Sequence, residues 1–161
     1  MITGLPISER LANGIKAARS AQKRVLLVED DDNDALLAME ELEQWGYKTI
    51  RVHSGENAIS EAARTTFDFA IIDMNLPTMS GLECATLLNS QYDNLVIVIC
   101  SGYIEGAKAV LDVLSRQWVM MKKPFSIDLF NRIAHAVNTN VSHFADTRHR
   151  NENQLSIGTT G

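Results

Sequence analysis

The sequence predicts an α/β fold: a five-stranded, all-parallel sheet, doubly wound by helices on both faces. Three observations carry this expectation. Short apolar runs alternate along the chain with segments of helical periodicity, with no long insertion between them. That is the signature of βα units. The best of the runs, Phe69 to Ile72 and Leu95 to Cys100, carry no charge, as strands covered by helices on both faces do not. Four of the runs stop on side chains able to do chemistry, which is where open parallel sheets place ligands.

The elements follow in order. Residues 1–22 are polar and basic, and read as a solvated N-terminal extension in which Ser8 could cap a short helix carrying Leu11, Ile15 and Ala18 on one face. Val25-Leu26-Leu27-Val28 is a first buried strand, ending on Glu29-Asp30-Asp31-Asp32. A helix from about Asn33 to Trp45 presents Leu36, Met39 and Leu42 to the core and stops at Gly46. Tyr47 to Val52 is a weaker strand. Ser54 caps a second helix, roughly Gly55 to Arg64, with Ala58, Ile59 and Ala62 inward. The third strand ends on Asp73; Pro77 and Gly81 prevent its continuation.

A third helix starts at Ser80 or Gly81, with Leu82, Ala85 and Leu88 inward. Leu95 to Cys100 is the most apolar strand and ends on Ser101-Gly102. A less regular helix runs from about Glu105 to Ser115. Trp118 to Met121 is a fifth strand, ending on Lys122-Lys123-Pro124, and Ser126 caps a last helix with Leu129, Ile133 and Val137 on one stripe. From about Val141 the chain is polar, giving a division into an extension (1–22), one domain (23–140) and a tail (141–161). Right-handed crossovers and short connections make a flavodoxin-like strand order, 2-1-3-4-5, the expected topology.

Composition bounds the function. The 161 residues suffice for one domain with a proper core, and 45% hydrophobic with 22% charged residues is ordinary for a soluble globular protein. A net charge of −5 disfavours general nucleic-acid binding. No apolar run is long enough to span a bilayer, and the first residues lack the apolar run of an export signal, so export is not expected. Cys84 and Cys100 read as buried free thiols of a cytoplasmic protein. His53, His135, His143 and His149 are scattered without metal-ligand spacing and read as surface residues.

The strand ends make a chemical set. The first supplies Glu29 and Asp30, the third Asp73, the fourth Ser101 and the fifth Lys123. Carboxylates gathered at one sheet edge repel one another unless a cation joins them. An all-oxygen cluster suits Mg²⁺, which favours sites shared with phosphate oxygens. A carboxylate facing Mg²⁺, a Lys and a hydroxyl is equipped to attack a phosphoryl group and become an aspartyl phosphate.

With these residues in place, the chain resembles the receiver domain of two-component response regulators, the CheY-like family, over roughly residues 23–140. The motifs are Val-Leu-Leu-Val-Glu-Asp, Ile-Ile-Asp-Met-Asn-Leu-Pro-x-Met-x-Gly, Ile-Cys-Ser-Gly-Tyr and Met-Lys-Lys-Pro-Phe. The resemblance implies that Asp73 is the phosphoacceptor and that Mg²⁺ is held by Glu29, Asp30, Asp73 and the main-chain carbonyl of Asn75. Asp30 would be the direct ligand of the acidic pair and Glu29 would act partly through water; Asp31 is the alternative should the register slip by one. It implies that Ser101 is the switch hydroxyl, that Lys123 contacts the phosphoryl oxygens, that the Lys123–Pro124 bond is cis, and that Asn75 and Tyr103 tune phosphoryl lifetime.

One position departs from the family. Met120 stands where Tyr, Phe or His usually serves as a rotating switch, so an aromatic switch is not assumed; Trp118, two residues earlier, is expected to point the same way and to be a candidate partial substitute. The expected partners are a histidine kinase or histidine phosphotransfer protein and a downstream protein bound on the face of residues about 105–135, with a homodimer left open. The protein is expected to signal rather than catalyse: about twenty residues remain after Asn140, too few for an output module. The competing reading is a non-phosphorylated receiver-like scaffold that binds a partner constitutively. A haloacid-dehalogenase-type phosphatase would need Asp where Asn75 stands, and a nucleotide-binding domain would need a Gly-rich loop where Asp30 to Asp34 stand.

Overall fold

A computed structural model describes residues 22–102, 113, 115–116 and 118–137. The N-terminal extension, Tyr103, most of the expected helix at 105–115 and the polar tail lie outside these residues. Five strands form one sheet: β1 Arg24–Val28, β2 Lys48–Val52, β3 Phe69–Asp73, β4 Val96–Ser101 and β5 Val119–Lys122. All pairings are parallel and the order is β2-β1-β3-β4-β5. The fold class and strand order are those expected from the sequence. β1 and β3 are the strands at which the winding reverses, so the loops after them diverge and leave a crevice at the sheet's carboxyl edge.

Three helices alternate with these strands: α1 Asp32–Gln44, α2 Gly55–Ala62 and α3 Gly81–Gln91. Each begins on a side chain that satisfies its free N–H groups. The Asp31 carboxylate accepts from the N–H of Asn33 and of Asp34, both at 2.9 Å. Ser54 accepts from Asn57 at 3.1 Å. Ser80 and Glu83 close a reciprocal capping box at 3.2 and 2.9 Å. α1 ends in a Schellman motif: Gly46, at φ 84°, donates to Glu43, and Tyr47 donates to Leu42.

The packing corrects the expected inward face of α1. The buried face of α1 is Ala35, Ala38 and Leu42, whereas Leu36 is 58% exposed and Met39 half-buried. Two stripes of α1 carry apolar residues at helical spacing, and the sheet takes the one with alanines because small side chains let a helix approach closely. Leu82 and Ile59 pack against the core as partly buried residues, beside fully buried Ala58, Ala85 and Leu88. Strand alternation divides the sheet. Leu26, Val28, Ala70, Ile72, Ile97 and Ile99 join the α2 and α3 residues in one cluster. Leu27 and Ile71 face the other way, lining a space of about 280 Å³ with Ala38 and Leu37 of α1.

Beyond Phe125, a helix α4 spans 127–137, with the Ser126 hydroxyl accepting from the Leu129 N–H at 3.3 Å. Its buried residues are Phe130 and Ala134, one position on from the expected stripe, and Leu129 is 37% exposed. A bulky ring fixes the inward face here more strongly than the leucine does.

The turn between β3 and α3 depends on Gly81. A Cβ there would lie 2.1 Å from the Asp73 carbonyl oxygen and 2.7 Å from Met74 Cα, both backbone atoms. Gly81→Ala is therefore expected to destabilise the protein by about 2 kcal/mol, measured by urea unfolding; an unchanged midpoint would refute this close approach.

Candidate functional site

Four strand ends meet at the carboxyl edge of the sheet. Glu29 follows β1 directly, and its N–H bonds the Val52 carbonyl of β2 at 3.1 Å. Asp73 is the last residue of β3 and is 7% exposed. Ser101 ends β4 and is 1% exposed. Its carbonyl accepts from the Lys123 N–H at 2.8 Å, which ties the chain after β5 to β4. The Lys123–Pro124 bond is cis. Carboxylate oxygens of Glu29, Asp30 and Asp73 lie within 4.8 Å of one another.

Lys123 is the cation of this cluster. Its Nζ donates to Glu29 Oε2 at 2.6 Å, Asp34 Oδ2 at 2.9 Å and Asp73 Oδ2 at 3.1 Å. An ammonium has three N–H donors, so all three are engaged. Burial opposes the Lys123 charge, but the hydrogen bonds to Glu29, Asp34 and Asp73 outweigh it and hold the ammonium above the usual lysine range. Glu29 goes the other way. Burial raises its carboxyl, and with the nearby Asp73 charge this outweighs the hydrogen bonds from Lys123 and the Asp31 N–H. Burial pushes both the Cys84 and Cys100 thiols up to about 12, so they are protonated at neutral pH.

Of the expected residues, Glu29, Asp30, Asp73 and Lys123 converge, while Tyr103 lies outside the described residues. Asp31, the alternative ligand, is instead the N-cap of α1, its carboxylate turned to the helix N–H groups. Those bonds, first the one from Asp34, lower its pKa. Asn75 is exposed, and its N–H donates to Asp73 Oδ1 at 3.0 Å. Trp118 is 5% exposed within the core cluster and Met120 packs against that same cluster, so the two do point to one side. The Arg116 guanidinium stacks on the Trp118 ring at 5.1 Å.

Two residues were missed by the sequence reading. Arg51 of β2 grips the acidic loop: Nε bonds the Glu29 carbonyl at 3.0 Å, Nη2 the Asp30 carbonyl at 3.2 Å, and Nη1 the Asp32 carboxylate at 2.7 Å. Its signal was the register, since Arg51 pairs with Leu27, two residues before Glu29. Asp34 reaches Lys123 from the first turn of α1, and its signal was the spacing of one helical turn from Asp30.

The arrangement fits a hard divalent cation. The Glu29, Asp30 and Asp73 carboxylates, two of them on nearly buried residues, lie together, and Lys123 pairs with Glu29 and Asp73. An all-oxygen donor set of this size suits Mg²⁺, which retains waters and accepts phosphate oxygens.

A family model described as the response regulator receiver domain matches residues 25–135. A cyclic di-GMP phosphodiesterase of Thermotoga maritima is 29% identical over 122 residues, covering 74% of this chain and 32% of that protein. The response regulator receiver protein CpdR of Brucella abortus is 29% identical over 112 residues, 69% of this chain and 93% of that one. The chain spans less than half the length of several other curated relatives, including the regulator PhoP of Bacillus subtilis. Among solved structures, the response regulator TrrA of Thermotoga maritima, in complex with Mg²⁺ and beryllium fluoride, superposes with a TM-score of 0.64 at 26% identity, over 72% of this chain and 99% of that one.

The electrostatics give a pH signature. Glu29 has a higher pKa folded than unfolded, so its stabilising share is full below the ordinary value of 4.5 and is lost as pH rises through the raised folded value. Glu29→Gln removes that loss. Without metal, the variant is expected to gain stability relative to its parent as pH rises above 4.5, read by urea unfolding in EDTA. A constant difference across that rise would show that Glu29 ionises as freely as in the unfolded chain.

Proposed function

The chain belongs to the response regulator receiver family of phosphoacceptor signalling modules, and on that premise we propose that Asp73 accepts a phosphoryl group in a Mg²⁺-dependent reaction. The observation that carries this reading is the convergence of the Glu29, Asp30 and Asp73 carboxylates beside the Lys123 ammonium.

The residues divide the work as follows. An oxygen of the Asp73 carboxylate attacks the phosphorus of a phosphohistidine in line. The new O–P bond forms as the P–N bond breaks, and the imidazole nitrogen leaves with the bonding pair and takes a proton from water. Lys123 sets its positive charge against the phosphoryl oxygens. Arg51 and the Asn75 N–H hold the acidic loop and the Asp73 carboxylate in place before the donor arrives. Glu29, Asp30, Asp73 and the Asn75 carbonyl would hold Mg²⁺, which when bound adds positive charge against the same phosphoryl oxygens. The Ser101 hydroxyl is the donor that turns toward the product, and Asn75 and Tyr103 are the positions that tune its lifetime.

The phosphodonor in this proposal is a histidine kinase or histidine phosphotransfer protein in the cytoplasm. The added charge of roughly −1.5 to −2 shifts the balance between two packings, and a partner protein reads the face of residues about 105–135. Met120 favours a readout by repacking rather than by ring rotation, since a thioether fills irregular space without a preferred plane.

Acetyl phosphate labelling followed by intact mass tests the proposal. A Mg²⁺-dependent phosphoryl adduct, lost in Asp73→Asn, is expected. Equal labelling of Asp73→Asn would remove Asp73 from its role, and no adduct in folded protein would favour the constitutive scaffold. Mg²⁺ at about 100-fold over its dissociation constant is also expected to stabilise the chain by about 2.7 kcal/mol, and Asp30→Asn to weaken that gain in thermal unfolding.

A further inference from the structure

We propose that Asp34 is a built-in competitor for Lys123: its carboxylate occupies one N–H of the ammonium in the resting chain, and a phosphoryl group on Asp73 takes that N–H over and sets Asp34 free. This inference rests on the phosphoacceptor reading above.

The geometry selects Asp34 as the partner that yields. Lys123 has three N–H donors and three carboxylate acceptors. A phosphoryl group on Asp73 inherits the donor its carboxylate held, and gains a second only by displacing Glu29 or Asp34. Asp73 carries the phosphoryl group, so its vicinity stays engaged. Glu29 makes the shortest contact, 2.6 Å, with a side chain only 6% exposed. The Asp34 side chain is 50% exposed and its carboxylate is not part of the converging Glu29–Asp30–Asp73 set.

Release costs Asp34 little. Its oxygens are already half in water, and it sits in the first turn of α1, where a negative charge is favourable beside the helix N-terminus. The capping of that turn is done by Asp31 and survives the exchange. Lys123 is held at both ends: its backbone N–H bonds the Ser101 carbonyl at 2.8 Å and its Nζ keeps Glu29 at 2.6 Å. A phosphoryl charge beside three carboxylates adds repulsion, and Asp34 is the carboxylate with room to move away. Two effects follow: the resting chain binds anions less well than its lysine alone would allow, and the first turn of α1 is uncoupled from the chain after β5 when Asp73 is phosphorylated.

Beryllofluoride, a phosphoryl mimic, gives the test in the full chain by ¹⁹F NMR titration at saturating Mg²⁺. Asp34→Asn and Asp34→Ala are both expected to bind it about two- to fivefold more tightly than the parent, the range for losing one partly exposed ion pair. The gain persists in about 0.5 M NaCl, where the effect of net charge alone is screened within a few ångströms. Affinity for Mg²⁺ without the anion, read by calorimetry, changes by less than about twofold, the low end of that same range. Parent binding with no gain in either variant overturns the competitor role alone, as does a gain that vanishes in salt. Failure of parent and variants alike to bind overturns both this role and the phosphoacceptor reading.

Discussion

One ammonium holds the working edge of this protein together. Lys123 arrives from the far edge strand and contacts carboxylates from the loop after β1, the first turn of α1 and the end of β3. Without that cation, the site would be a set of like charges a few ångströms apart in a partly water-excluded crevice. Even with it, the balance is incomplete, since several carboxylates share one positive charge and Glu29 resists ionisation. That shortfall is what a divalent cation would fill at this edge, and it makes the electrostatics of the site respond to any further anion.

The fold serves this arrangement by bringing distant residues to one edge. The Lys123–Glu29 contact links positions 94 apart in sequence, and parallel pairing alone places both at carboxyl strand ends. The strand order puts β1 and β3 side by side at the reversal, with β4 and β5 following. Fixed loops then set the fine geometry. Arg51 uses its planar fork on two carbonyls and a carboxylate, a pattern that lysine could not match. Gly81 lets α3 begin against the Asp73 backbone.

Much of this was legible in the sequence. Apolar runs and caps gave the elements, and the polar residue at each strand end gave the members of the cluster. Asp73, Lys123 and the acidic pair were visible because strand ends are marked by abrupt changes of character. What escaped was lateral information. The inward face of α1 was misread because Leu36 and Ala35 both begin plausible stripes, and hydrophobicity favours the larger residue where close packing favours the smaller. Leu129 and Phe130 posed the same choice in α4. Arg51 and Asp34 were missed because their roles depend on which strand lies beside which and on how a helix is rotated at its first turn. Asp31 could be assigned only once its side chain was seen capping α1.

The two cysteines carry a separate consequence. Both are buried and unpaired, and Cys100 sits on β4 directly across from Asp73. Protonated to about 12 and shielded from water, these sulfurs are poor nucleophiles. A thiol beside an aspartyl phosphate is a chemical hazard, since a thiolate there would attack the acyl carbon and discharge the signal as a thioester. By keeping the Cys100 sulfur protonated and packed in the sheet, the fold would shield the acyl phosphate proposed for Asp73 from thiolysis.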